Sequence, residues 1–379
     1  MRLNVLVFVI SVCCLTQLQS AETPASEAAV AGFLEQVKDH FADWDKDKSG
    51  GLSVAELDQF ANNSKTVGNE AAAIAALKRS QNNKKVPAPV LTQETIVALA
   101  KVPPPALEGP NFPKMYSEGL SKIKKARRDL FVSELPHMSS LYQGRLGDCF
   151  CLAPLGAMLH RNPKQVMEMF KLQPDGSCDV VLGNKTVHVA TPTDTELAMS
   201  ASARQDGIWV NVYEKAMGML RNEAKPESER TGSPLDAVAR GGSAGTVLAQ
   251  ITGHEITRFS TKYVKDDKLS DAEKAKKLQA LRDMLIAAVK DKRLMTCGTT
   301  TPTTPGITPN HAYAVLGYDE KADTIQLWNP HGTTFTPKEP AGLVNGYPRK
   351  NGIFALPLGE FVQQFYGVAF EQAPKNAQP

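Results

Sequence analysis

Cysteine is scarce in this chain, six in 379 residues, and no Cys-x-x-Cys pair occurs. That excludes a disulfide-built scaffold and the usual spacing of a zinc knuckle. An excess of charge is missing too. Forty-three Lys and Arg against 40 Asp and Glu leave a net +3, and the basic residues are not concentrated enough for a nucleic-acid partner. After the first twenty residues no apolar run is long enough to cross a bilayer, so no transmembrane segment is expected in the mature chain. No internal repeat is visible. What remains, 42% hydrophobic and 22% charged residues, suits a packed globular core, and the length allows two or three domains.

The N-terminus stands apart. Arg2 precedes an apolar stretch from Val5 to Leu15 and a polar exit, Thr16 to Ser20, ahead of Ala21. This pattern predicts a signal peptide over 1–20, cleaved after Ser20, and hence a secreted or periplasmic, extracytoplasmic protein. A buried N-terminal helix and a lipid anchor on Cys13 or Cys14 are the alternatives. Cys149, Cys151, Cys178 and Cys297 remain after cleavage. The side chains of a Cys-x-Cys pair on a helix diverge by about 200°, so at least one thiol should stay free.

Residues 24–63 read as helix, loop, helix, with Phe33, Val37, Phe41 and Trp44 at helical spacing and a second helix near Ala55 to Phe60. From 64 to 135, alanine-rich and basic helical segments alternate with Pro87, Pro89 and Pro103 to Pro105, which predicts a linker or an arm laid along another domain. Lys122, Lys124, Lys125, Arg127 and Arg128 read as a solvated helix face. Residues 136–379 have the texture of a mixed helix-and-sheet domain, so the fold class is α+β. A hairpin is expected around Gly183-Asn184, helices over Trp209 to Arg221 and Asp266 to Lys290, and strands over Ala312 to Tyr318 and Thr324 to Trp328.

Asp45 to Glu56 fits a twelve-residue EF-hand loop. Oxygen side chains fall at positions 1, 3, 5 and 9 (Asp45, Asp47, Ser49, Ser53), the Gly51 carbonyl at 7, glycine at 6 and a glutamate at 12 (Glu56). Ca2+ is the expected cofactor, since a hard cation needs several oxygens converging on one point. No second such loop is visible, and Leu52, at the position through which such hands pair, lacks an obvious partner.

Cys149 follows a glycine-rich turn and heads an apolar helix, where the positive end of the helix dipole favours thiolate. The Gln143 amide, six residues earlier, is placed to fold back beside the Cys149 N–H as an oxyanion hole. On these grounds alone, a small buried cysteine at a helix start is an equally good reading.

The stretch Gln143-Gly144-Arg145-Leu146-Gly147-Asp148-Cys149-Phe150 resembles the catalytic helix of calpains, papain-like cysteine proteases. Trp209 to Ala216, Leu235 to Gly253, His311 to Gly317 and Leu327 to Pro330 are similar to further segments of that family in the same order. The resemblance covers about 136–375 and implies a two-lobed papain-like core. It implies Cys149 as nucleophile, His311 as base and then acid, Asn329 as the residue orienting the imidazole, and Gln143 as oxyanion donor. It also implies Gly241 and Gly242 as backbone contacts to a protein or peptide substrate. Phe150 and His331 stand where the family has tryptophan, Asn310 where it has glycine, and Pro154 interrupts the helix. The function expected is a secreted, calpain-like cysteine endopeptidase with an N-terminal EF-hand, with calcium regulation as part of the expectation. The alternatives are a catalytically silent, calcium-dependent binding protein of the same family, and acyl transfer to an amine as in transglutaminases.

Overall fold

In the computed structural model the described residues are 26–81, 90–102 and 109–372. The segment 1–20 expected to be a signal peptide and the prolines at 87, 89 and 103–105 lie outside them. No described helix is long and apolar enough to cross a membrane.

Three cores organise the chain. The first is helical. Glu27–Trp44 and Val54–Ala61 flank the loop 45–53, and Gly68–Gln81, Gln93–Lys101 and Phe112–Lys125 pack around them. Ser26 and Ser53 start the first two helices as side-chain caps. Gly68–Gln81 is buried nearly all round from Ala71 to Lys78, so its alanines let neighbouring backbones close in. The segment 64–135 thus contains three helices that share this core with Leu146, Ala198, Met199, Leu235 and Ala239 of the following domain. Within it, Lys122 differs from the expected solvated face: its ammonium turns inward and donates to the Ser200 carbonyl at 2.6 Å, and burial lowers its pKa to about 8.

The second core surrounds Cys149–Arg161, packed against Trp209–Glu223 and the hairpin Cys178–Leu182 and Lys185–Val189, which is turned by Gly183 at φ 56°. The third lies between Asp271–Lys290 and a six-stranded sheet. That sheet runs in the order 353–357, 324–328, 312–319, 295–299, 365–371, 256–260, every neighbour antiparallel. Strand alternation assigns its faces. Ala312, Ala314 and Trp328 point to the second core, while Tyr313, Val315, Ile325 and Leu327 point to the third. The long helix begins at Asp271, later than expected, because Ser270 and Glu273 form a capping box there.

Gly156 is where the cysteine helix meets the sheet. A Cβ there would lie 2.6 Å from Cε3 of Trp328, the residue before Asn329. Gly156→Ala is therefore expected to cost about 1–3 kcal/mol through overpacking, read as a lower denaturation midpoint. An unchanged midpoint would show that Trp328 can move aside freely.

Candidate active site

Gly147, at φ 78°, turns the chain so that Asp148 leads into the helix and Cys149 becomes its first residue. The helix continues through Pro154 to Arg161 without a break. The Cys149 Sγ accepts a hydrogen bond from the Ala312 N–H at 3.4 Å, joining the cysteine helix to the sheet at positions 163 residues apart. The residue before Ala312 is His311, whose Nε2 lies 2.9 Å from Asn329 Oδ1.

The hydrogen bonds decide the tautomer. Asn329 Oδ1 also accepts the His331 N–H at 2.9 Å, and Asn329 Nδ2 donates to Thr308 Oγ1 at 3.2 Å. The amide oxygen therefore faces the ring, Nε2 carries the proton, and Nδ1 keeps the lone pair a base needs. Thr299 accepts the His311 N–H at 3.2 Å and fixes the backbone beneath the ring. Asn310 takes φ 48°, a left-handed conformation that glycine adopts freely and asparagine tolerates, so the replacement keeps the turn.

Residues 121–337, more than half of the chain, match the family described as calpain family cysteine protease. The chain belongs to the calpain family. A comparison with curated proteins finds no match.

Among the residues expected at this calpain-type site, Cys149, His311 and Asn329 are all buried where the cysteine helix meets the six-stranded sheet. Gln143 reaches the same place through its backbone, its N–H donating to the Pro330 carbonyl at 2.8 Å, while its buried Oε1 has no hydrogen-bond partner among the described residues. Gly242 lies against the ring of Phe150, where a Cβ would come within 2.7 Å of Cδ2. Gly241, at φ 76°, has open space before it, but Arg221 already occupies its carbonyl at 3.2 Å.

The electrostatics differ from the helix-dipole expectation. Burial pushes the Cys149 thiol up to about 11; the Ala312 donor pulls it back in part and Asp148 adds to the rise. Burial, then His331, lowers His311 to about 3, against the pull of Asn329. Both shifts favour the neutral form of each group, thiol and imidazole alike. The His331 ring lies against His311, tilted by 32° with centroids 4.4 Å apart, and burial lowers its own pKa.

One feature escaped the sequence. Asp148 is fully buried, neither of its oxygens receives a donor from a backbone or neutral side-chain group, and it faces the equally buried Glu214. Burial, then the Asp148 charge and the hydrogen bond between them, hold Glu214 well above the usual carboxylate range. A proton on Glu214 satisfies both groups, and the Ala201 N–H donates to Glu214 Oε2 at 2.7 Å. A carboxyl whose folded pKa is raised loses its stabilising contribution as pH climbs from the unfolded value toward the folded one. Glu214→Gln keeps the donor and the acceptor without that loss. Its denaturation midpoint should gain on the unaltered chain from pH 4 to pH 8; a gap independent of pH would contradict the shared proton.

In the loop 45–56, carboxylate oxygens of Asp45, Asp47 and Glu56 lie within 4.8 Å of one another. Asp45 accepts the N–H groups of Ser49 and Gly50, and Ser49 Oγ donates to the Gly51 carbonyl at 3.0 Å. Hydrogen bonds from the Ser49 hydroxyl and N–H lower the Asp47 pKa. Burial opposes the charge on Glu56, but the Ser53 backbone and hydroxyl and the Asp47 N–H hold its pKa down. Gly51 and Leu52 pair antiparallel with Thr92 and Leu91, so helix 68–81, strand 91–92 and helix 93–101 form a second helix-strand-helix unit facing the first. Leu52 therefore has a partner that the sequence did not reveal.

Proposed function

We propose that the chain is an exported, calcium-responsive endopeptidase acting through Cys149, His311 and Asn329. The observation that carries this is the Ala312 N–H on Cys149 Sγ, which brings the sulfur to the backbone of the residue that follows His311, whose Nε2–H is taken by Asn329. In this reading Sγ bonds to the scissile carbonyl carbon while its proton passes to His311 Nδ1. The proton then goes to the departing amine, and water, deprotonated by the same nitrogen, hydrolyses the thioester. Gln143 and the Cys149 N–H supply the oxyanion donors. Protein or peptide is the substrate, with the Gly241-Gly242 turn beside it.

The loop chemistry fits Ca2+, which Asp45, Asp47, Ser49, Ser53 and Glu56 side chains and the Gly51 carbonyl would hold. The ion would supply the charge that draws these oxygens together and so bias the helices around them. Export through residues 1–20 predicts a mature chain beginning at Ala21, which N-terminal sequencing of the secreted protein checks.

The raised thiol and lowered imidazole favour a second reading, a silent calcium-dependent binding protein. Iodoacetamide labelling of Cys149 across pH separates the two. With calcium chelated, the rate should climb about tenfold per pH unit below the thiol pKa, following the thiolate fraction. The peptidase reading expects calcium to add a plateau at neutral pH, the mark of a thiolate paired with imidazolium. The same climb with calcium present, and no cleavage of an unfolded protein, would favour the silent protein.

A further inference from the structure

Near Cys149, between residues 243–245 and the strands 256–260, 295–299 and 365–371, lies a cavity of about 300 Å³. Its position follows from its walls. Gly298 stands opposite Ala312 in the sheet register, and Ala312 is the donor to Cys149. Ser243 follows the Gly242 that touches Phe150, and Tyr366 interacts electrostatically with both Cys149 and Cys297. A peptide whose carbonyl reaches the sulfur therefore has this cavity next to its scissile bond.

The cavity is narrow-walled and cationic. Gly245, Gly298 and Ala369 keep its sides low, and among the described residues Arg258 and Lys262 are its charged lining residues. Arg258 comes from the edge strand Ile256–Ser260, and its guanidinium lies 3.2–3.3 Å from the position a Gly245 Cβ would take, so the close backbone of that loop holds it at the wall. Its charge also lowers the tendency of the Tyr366 phenol to stay protonated, placing it near the mouth. Among the described residues neither Arg258 nor Lys262 pairs with a carboxylate, whereas Arg161, Arg282 and Lys78 all do. Two cations left without counter-charge around a small cavity next to a nucleophile make a receptor for an anionic side chain.

We propose that this cavity is a specificity subsite that takes an aspartate or glutamate side chain of the substrate, with Arg258 and Lys262 as the selecting residues. The proposal rests on the peptidase reading of the cleft for its biological use, but not for its test. The full chain carrying Cys149→Ala is titrated with labelled hexapeptides, alike except for Glu or Gln at each position in turn. One Glu register should bind at least about tenfold tighter than its Gln counterpart, lose that advantage as salt rises, and lose it when Arg258→Gln and Lys262→Gln are added. Unchanged thermal midpoints establish that the added substitutions left the fold intact. Equal binding of Glu and Gln peptides, including no binding of either, overturns the subsite, as does a preference that survives both substitutions. Cleavage by the unaltered chain is scored separately: cuts without acidic selection remove the subsite and leave the peptidase, while acidic selection in binding without any cut removes the peptidase and leaves the subsite.

Discussion

Cys149→Ala is expected to lower kcat/KM on an unfolded-protein substrate by about a thousandfold or more, with little change in the denaturation midpoint. His311→Ala should lose a similar factor, and the double substitution almost nothing further, because sulfur and imidazole act as one unit and either loss removes the thiolate. Asn329→Ala should cost less, about 10–100-fold, since the imidazole survives but loses the acceptor that keeps its proton on Nε2. Additive losses in the double variant would show that the two residues do not work on the same proton. The measurement is initial cleavage rate under reducing conditions, with calcium present.

The largest effect on stability is expected at Lys78. Its ammonium is buried between Asp58 of the helix Val54–Ala61 and Asp236 of Pro234–Val238, the latter at 2.9 Å, and its side chain is 2% exposed. It bridges the helical N-terminal core and the segment leading to Gly241. Lys78→Met fills much of the volume but leaves two buried carboxylates facing each other, a loss of about 3–5 kcal/mol. Burial already raises the Asp58 pKa, and Lys78 is the group that opposes the rise. Without it the folded pKa climbs further. The cost is then present above the unfolded carboxylate pKa and fades as pH falls below it. Denaturant unfolding at pH 7 should show the full loss and at pH 4 a smaller one; equal losses at both would assign the effect to packing.

Much of the protease core could be read in advance because its patterns are strong. The hairpin around Gly183, the helix from Trp209 and the strands at 312 and 324 follow from alternation, helical spacing and turn residues. Helix 68–81 was harder. Buried on all sides, it has no apolar stripe, and its alanines and Lys78 look like those of a solvated arm. The strand Leu91–Thr92 is two residues long and carries no period of its own. At the site, the helix start favours a thiolate at Cys149, but burial of the sulfur outweighs it and reverses the sign of the shift. Asp148 and Glu214 sit on different elements, and only the fold brings two acids into one dry space. The roles proposed for His311 and Asn329 needed the family resemblance, because a histidine at a strand start and an asparagine after a strand are ordinary by themselves.

The most direct test of the central claim is covalent trapping. The full chain, reduced and supplied with calcium, is incubated with a peptidyl fluoromethyl ketone, which transfers its peptide to sulfur only when held beside an activated thiol. Digestion and mass spectrometry then locate the adduct. A single adduct on Cys149, absent in Cys149→Ala and much slower in His311→Ala, is the predicted result. Labelling of Cys151, Cys178 or Cys297 instead, or none at all on a chain whose Cys149 still reacts with iodoacetamide, would contradict it.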